Sequence, residues 1–424
     1  MRILFAVIPE KTIFMSMVPL AWALRTAGHE VHIACQPGFA EHVTQAGLTA
    51  VPVGRASSAT ARLRTAFYPE DIDVAGLPSP YKVAEPSGAD LGWDRVSADY
   101  AHMVNIWHRR DNYPMIIDLV DYARFWEPEL IIWEPLTYAG SIAAKACGAA
   151  HARLLWSIDV FGVTRRRFLE LRDEQPEDQR IDPFADWLGG YARKYGFEFS
   201  EDMVTGQFTI DELPPSLAQQ ADGLHYAGLQ YIPYGGAAVI PNWLRTRPER
   251  PRVALTLGLS TTEIFSRYTV NIQDILDNLA DLDFEIVATI AEEKQKYLTR
   301  VPDNTRIVSY VPLQALTATC DAVINHAGPG TFLTVARDGV PQLTIPRDFD
   351  EPELARRAEN QGGSLCIQAA DATAGNIRES LLRLLNEPRF REGATELRDE
   401  LLTMPSPNDF VPTLEQLITK HRGA

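Results

Sequence analysis

Short apolar runs recur along both halves of the chain, and in each half they alternate with stretches of helical periodicity. In the first fifty residues the runs at 3–8 and 31–34 predict strands, separated by a loop at 9–14 and a helix over 15–27. Gly28 stands where a helix C-cap belongs, and 51–53 supplies a third strand, so the chain opens as a βαβαβ half of a doubly wound sheet. The stretch 54–97 is rich in Pro, Gly, Ser and Asp and reads as long surface loops. A helix is expected over 98–123, then a buried strand at 129–133 ending in Glu134-Pro135 and a small-residue helix over 138–147. A further strand at 151–155 ends in Trp156-Ser157-Ile158-Asp159, and 161–223 is charged and helical in patches.

The second half restarts the pattern with a strand at 253–257, a Gly258-Leu259-Ser260 turn, a helix over about 268–279 and strands at 285–289 and 304–308. Composition shifts to Pro-Tyr-Gly-Gly and Pro-Asn-Trp between 231 and 243. This places a linker at 226–245, between an N-terminal domain of 1–225 and a C-terminal domain of 246–405, with a tail at 406–424 that ends in a helix over 411–421.

The most informative stretch is 321–350, DAVINHAGPGTFLTVARDGVPQLTIPRDFD. An apolar strand stops at His326-Ala327-Gly328-Pro329-Gly330, a helix follows from Thr331, and Gly339-Val340-Pro341 ends it before a second strand. A strand, a glycine turn and a helix start gather unpaired N–H groups and the positive end of the helix dipole at one point. Such a point suits an anion, most simply a phosphate. The glycines alone also suit an ordinary αβ connection. The histidine at the strand end and the Asp350-Glu351 pair after the next strand add the side-chain chemistry of a ligand site.

The chain has 424 residues, 46% of them hydrophobic, which is too long for one ordinary core. A net charge of −16 and a pI near 5.1 argue against nucleic acid and anionic membrane as partners. An anionic ligand must then be held by local dipoles and a few side chains. Cys35, Cys147, Cys320 and Cys366 are widely separated and form no C-x-x-C pair, as expected of a reduced cytoplasmic chain without a zinc site. No signal-peptide pattern and no apolar run of membrane-spanning length is present, so a soluble cytoplasmic protein is expected. Asp281-Leu282-Asp283 matches a D-x-D metal motif, most simply by chance, and His102 and His108 are spaced too far apart to share a helix face.

The block from His326 to Thr331, with Gly339 to Gln342 and Asp350-Glu351, resembles the H-G-G-x-G-[ST] … G-V-P-Q … D-[QTE] block of the nucleotide-sugar glycosyltransferases of the two-domain B type, departing from it at Ala327 and Pro329. The resemblance implies an α/β fold of two Rossmann-like doubly wound domains facing a central cleft, with the final helix crossing back to the first domain. It also implies donor contacts from Gly258, Ser260, Val311, His326, Gly328, Pro329, Gly330 and Thr331, with Asp350 and Glu351 on the sugar hydroxyls. Segments 18–23, 133–137, 151–156, 207–211 and 241–244 are similar to transferases that move deoxysugars from thymidine diphosphate (TDP) onto macrolide or aromatic polyketide aglycones. The resemblance therefore implies inverting transfer of a TDP-deoxysugar to a hydrophobic aglycone, with no metal or other cofactor. Further partners it raises are a P450-like auxiliary protein and a second copy of the chain in a homodimer.

The family commonly carries a base in the loop after the first strand, and the register set by Val18-Pro19-Leu20 puts Ile13 there. Isoleucine cannot accept a proton. Asp159 and Glu134 at neighbouring strand ends are the candidate bases, Asp159 first, because an apolar wall would raise its pKa toward the working range. Ile13, Tyr138 and Phe161 are expected to touch the acceptor. A non-catalytic or carbon-glycosylating relative, a sugar-nucleotide epimerase and a phosphorylase of the same architecture stay open at this point.

Overall fold

The computed structural model describes residues 1–55, 76–88, 90–257 and 271–422. Two all-parallel sheets organise it. The first contains β1 (Arg2–Ala6), β2 (Glu30–Cys35), β3 (Thr49–Pro52), β4 (Leu130–Trp133), β5 (Ala150–Leu154), β6 (Phe208–Asp211) and β7 (Tyr226–Gly228), in the order 3-2-1-4-5-6-7. The second contains β8 (Arg252–Thr256), β9 (Glu285–Thr289), β10 (Thr305–Val308), β11 (Ala322–Asn325), β12 (Gln342–Thr344) and β13 (Ser364–Cys366), in the order 10-9-8-11-12-13.

Every residue of β4, β5, β8 and β11 is buried, because helices cover both faces of each sheet. That is why β4 reads as an unbroken apolar run, while polar residues buried in the others, such as Arg153 of β5 and Arg252 of β8, are held by side-chain partners. Strand order reverses between β1 and β4 and again between β8 and β11, and in such sheets the crevice beyond the strand ends at the reversal takes the ligand.

Five helices matter for the site. They are α1 (Lys11–Thr26), α2 (Val160–Asp173), α3 (Pro329–Ala336), α4 (Glu351–Gln361) and α5 (Pro407–His421). Helix α1 begins four residues earlier than the pattern suggested, because Glu10 accepts the Thr12 N–H and caps it. Ile13 therefore sits in a helical turn, buried, and not in a loop.

The helix expected over 98–123 is broken into Trp93–Met103 and Ile116–Trp126, joined by a wide turn at Val104–His108 and a short helix at Arg109–Asn112. Pro114, which has no N–H to donate, lies in the break. Strand β7 falls inside the segment read as linker, so the first sheet extends through Gly228. Helix α5 places Phe410, Leu414 and Ile418 in one core with Phe14, Met17 and Leu20 of α1, returning the tail to the first domain. Among the described residues no helix is long and apolar enough to cross a membrane.

Candidate functional site

The donor side is built at the end of β11. The Asn325 carboxamide accepts the Ala327 N–H at 2.8 Å and donates to Gln342 at 2.8 Å, and Gln342 in turn donates to the Phe332 carbonyl at 3.1 Å. This buried chain ties two strands to helix α3, which explains the glutamine of the G-V-P-Q stretch. Ala327 has φ +64, a left-handed conformation that costs an alanine roughly 1 kcal/mol. The turn it enforces folds the His326 ring back over Gly328. A Cβ on Gly328 would lie 2.2 Å from the imidazole Nε2, so only glycine leaves room for the ring.

Pro329 is the first residue of α3, where its missing N–H removes nothing a helix would use. Gly330 and Thr331 follow in the first turn, where N–H groups have no acceptor within the helix. Burial lowers the His326 pKa to about 4, partly offset by a hydrogen bond to the Thr256 backbone, so the ring is neutral and carries a single N–H.

Glu351 faces that ring, its Oε1 3.7 Å from His326 Nε2. Its other oxygen accepts the N–H groups of Arg347 and Asp348 at 3.0 and 2.9 Å. Burial, and then the charge of Asp348, push the Glu351 pKa well up. Asp350 is buried, burial raises its pKa to about 6, and it accepts a hydrogen bond from the Ser157 hydroxyl of the other domain. Val311 precedes Pro312 at the start of the helix Leu313–Thr317 and packs with Leu244 and Leu316. Gly258 and Ser260 lie outside the described residues.

The acceptor side differs from the expectation at three residues. Asp159 is fully buried and saturated. It accepts from Arg153 at 3.1 and 2.6 Å, from the Gly162 N–H at 2.8 Å and from the Tyr226 hydroxyl at 2.6 Å, and it caps α2. These bonds tie the carboxylate to a buried guanidinium, a tyrosine and the start of α2, so Asp159 is engaged in holding the turn. Tyr138 also leaves the acceptor list. Its ring is buried against Phe184 at 4.8 Å, Trp133 at 5.7 Å and Trp187 at 5.7 Å, in the core on one face of the first sheet. Ile13, in the opposite core, presents only a methyl-bearing wall.

Phe161 does lie where the domains meet. With Tyr81 and Trp107 it surrounds Phe349 of the second domain at centroid distances of 5.9, 5.8 and 5.9 Å. Trp107, Phe349 and Trp156 are partly exposed, so the aromatic wall is open on one side.

Glu134, at the end of β4, accepts the Leu136 N–H at 2.8 Å and the Thr137 hydroxyl. Burial raises its pKa to about 7, partly offset by hydrogen bonds from Thr137, Leu136, Ile8 and Trp156. Glu134 thus keeps a proton affinity suited to neutral pH, with no cation among the described residues paired to its carboxyl.

Several residues at the cleft were not legible beforehand. Ser157 was one polar residue in a strand-end turn, Phe349 lay between two aspartates, and Tyr231 fell in the supposed linker. The Tyr231 hydroxyl donates to the Gly330 carbonyl at 3.1 Å, joining the linker to the first turn of α3. Glu212, just past β6, is 5% exposed, makes no hydrogen bond or ion pair among the described residues, and has its pKa pushed well up by burial. Its place after a strand end was the only available signal.

The D-x-D pair is surface chemistry. Asp281 is paired with Arg378 at 2.5 Å, and Asp283 lies 3.5 Å from Arg250. Among the described residues no group of three or more His, Cys, Asp or Glu side chains is arranged to hold a metal ion.

Comparison with known proteins agrees with this layout. Residues 22–258 match the N-terminal domain model, and 273–417 the C-terminal domain model, of the erythromycin biosynthesis protein CIII-like family. The chain is 41% identical to the 10-deoxymethynolide desosaminyltransferase of Streptomyces venezuelae, over 100% of this chain and 98% of that one. It is 42% identical to the aclacinomycin-T 2-deoxy-L-fucose transferase of Streptomyces galilaeus, over 100% and 97%. Among solved structures, the glycosyltransferase VinC in complex with dTDP superposes with a TM-score of 0.88 at 37% identity, over 99% of this chain and 100% of that one. The chain belongs to the erythromycin biosynthesis protein CIII-like family of two-domain glycosyltransferases.

Proposed function

We propose that this enzyme transfers a deoxysugar from TDP to a hydroxyl of a macrolide or aromatic polyketide aglycone, with inversion at the anomeric carbon. The observation that carries the reading is the turn 326–331. It sets a neutral imidazole and the open first turn of α3 side by side, facing a cleft whose other wall is aromatic. Relatives named as deoxysugar transferases along their whole length support the same reaction.

Departure of TDP places negative charge on the diphosphate, which the N–H groups of Gly330 and Thr331, the dipole of α3 and the His326 N–H stabilise. Asp350 and Glu351 hold the sugar. Phe161, Trp107 and Trp156 bind the apolar aglycone. Glu134, as buried as Asp159 but with no cation on it among the described residues, is the strand-end carboxyl assigned to take the acceptor proton, its pKa raised by burial to about 7.

The donor side relies on a helix terminus and a histidine, so no metal is needed. Transfer from a panel of TDP-deoxysugars to macrolide and anthracycline aglycones, with product stereochemistry read by NMR, tests the reaction. Loss of transfer in chelator, restored by magnesium, would overturn the metal-free part. A P450-like auxiliary protein and a homodimer belong to the same reading. They are tested by rate with and without the auxiliary protein of the pathway, and by light scattering of the purified chain.

A further inference from the structure

Ser157 and Asp350 belong to different domains, are 3% and 5% exposed, and are joined by a hydrogen bond that the serine donates. Asp350 occupies the N-cap position of α4 but does not cap it. Its backbone, at φ −82 and ψ −13, is already helical, and its carboxyl makes no bond to the first N–H groups of the helix. Glu351 reaches back instead to the N–H groups of Arg347 and Asp348. The Asp350 carboxyl thus meets the backbone only at its own N–H and is turned to the Ser157 hydroxyl of the other domain.

The chain just before it is shaped by the same domain. Phe349 has φ +43, which a bulky residue adopts only where its surroundings dictate it. Its ring is set among Tyr81, Trp107 and Phe161, and the Gly76 N–H donates to the Arg347 carbonyl at 2.8 Å. On the opposite wall, Ser157 stands in a turn closed by the Arg153–Asp159 ion pair at 2.6 Å, so its hydroxyl is presented from a rigid base.

We propose that Ser157 is a positioning residue, whose hydroxyl orients the Asp350 carboxyl across the cleft so that the transferred sugar is gripped only when the two domains are closed. This rests on the reading of Asp350 as a sugar-holding residue. TDP itself is held by the second domain and does not need Ser157. Sugar recognition and domain closure become one event, and an open enzyme binds donor and spent nucleotide almost alike.

Calorimetric titration with TDP and with three donors, TDP-glucose, TDP-desosamine and TDP-2-deoxyfucose, tests this, using the donor that the wild type binds best. Ser157→Ala and Asp350→Ala are each expected to weaken that donor relative to TDP by about tenfold, the loss of a hydrogen bond to a charged group. Affinity for TDP should stay within about twofold. Ser157→Thr, which keeps the hydroxyl, should restore the ratio, and adding Ser157→Ala to Asp350→Ala should change nothing more. If Asp350→Ala leaves the ratio unchanged, the sugar-holding role of Asp350 fails and the proposal with it. If Asp350→Ala lowers the ratio and Ser157→Ala does not, or lowers TDP affinity equally, only the positioning role is overturned.

Discussion

Two carboxyls at adjacent strand ends, similar in sequence setting, have opposite environments. Asp159 faces Arg153 from 2.6 Å, while burial without a cation raises the Glu134 pKa to about 7. Removing the Asp159 charge leaves a buried guanidinium uncompensated, which costs on the order of 3–5 kcal/mol. Asp159→Ala is therefore expected to lower the melting temperature sharply, and a variant of wild-type stability would show that the ion pair is not what holds this turn. Glu134→Gln keeps the shape of the carboxyl and its hydrogen bond from Leu136, but loses its basicity. Its kcat should fall by about 10²–10⁴ with TDP affinity unchanged, the usual cost of losing a general base. Retention of full turnover with an aliphatic-hydroxyl acceptor would remove Glu134 from the chemistry. The sequence ranked Asp159 ahead of Glu134 on its apolar surroundings and gave no sign of the cation that pairs with it. The partner of Asp159 lies six positions upstream on β5, and only the fold shows that Arg153 points back along the same turn.

At the scale of elements, strand positions were readable because parallel strands buried on both faces are mostly apolar, as at β4, even where a buried His151 or Arg252 interrupts the run. The turn 326–330 was readable because glycines and a histidine at a strand end have few other uses. What escaped were the boundaries set by single hydrogen bonds and by tertiary packing. Glu10 starts α1 before the apolar pattern does, Pro114 splits a helix whose periodicity runs on, and Tyr226–Gly228 is a strand too short to show alternation. Tyr138 was misplaced for a related reason, since a tyrosine after a strand end gives no sign of which face of the sheet it will fill. The donor turn itself offers a test at this scale. A Cβ at Gly328 would overlap the His326 ring at 2.2 Å, so Gly328→Ala must push the ring off the turn. We expect a stability loss of about 1–3 kcal/mol, typical of overpacking, together with loss of most of the rise in melting temperature that TDP gives the wild type by mass action. An undiminished TDP shift in this variant would mean that the imidazole position does not matter for the diphosphate.

Over the whole molecule, buried acids and buried histidines pull stability in opposite directions as pH changes. Burial raises the pKa of Glu134 to about 7 and of Asp211, Asp348 and Asp350 to about 6, and it pushes Glu212 and Glu351 well up. For each of these the folded state keeps a proton that the unfolded chain gives up. Their contribution is therefore complete below the ordinary carboxyl range and is lost as pH rises through the folded values. His108 and His326 are lowered by burial to about 3 and about 4, and they behave oppositely. They stay neutral where the unfolded chain binds protons, so their contribution is present above the ordinary histidine pKa of 6.5 and is lost as pH falls below it. Between about pH 8 and about pH 6.5 the acids act almost alone, and the ligand-free protein should become more stable as pH falls, levelling off once the histidines of the unfolded chain begin to charge. Catalysis should run the other way over the same interval, because Glu134 must be ionised to take the acceptor proton, so kcat is expected to rise through a pKa near 7. The enzyme is then most active on the alkaline side of its stability maximum. Carrying its charge into a buried site opposes folding, and bound TDP-sugar offsets that cost by mass action. Thermal melts and kcat measured at matched pH values test the opposition directly. A melting temperature that climbs from about pH 6.5 to about pH 8, or a kcat with no acidic limb near neutrality, would show that these carboxyls are not held protonated by the fold.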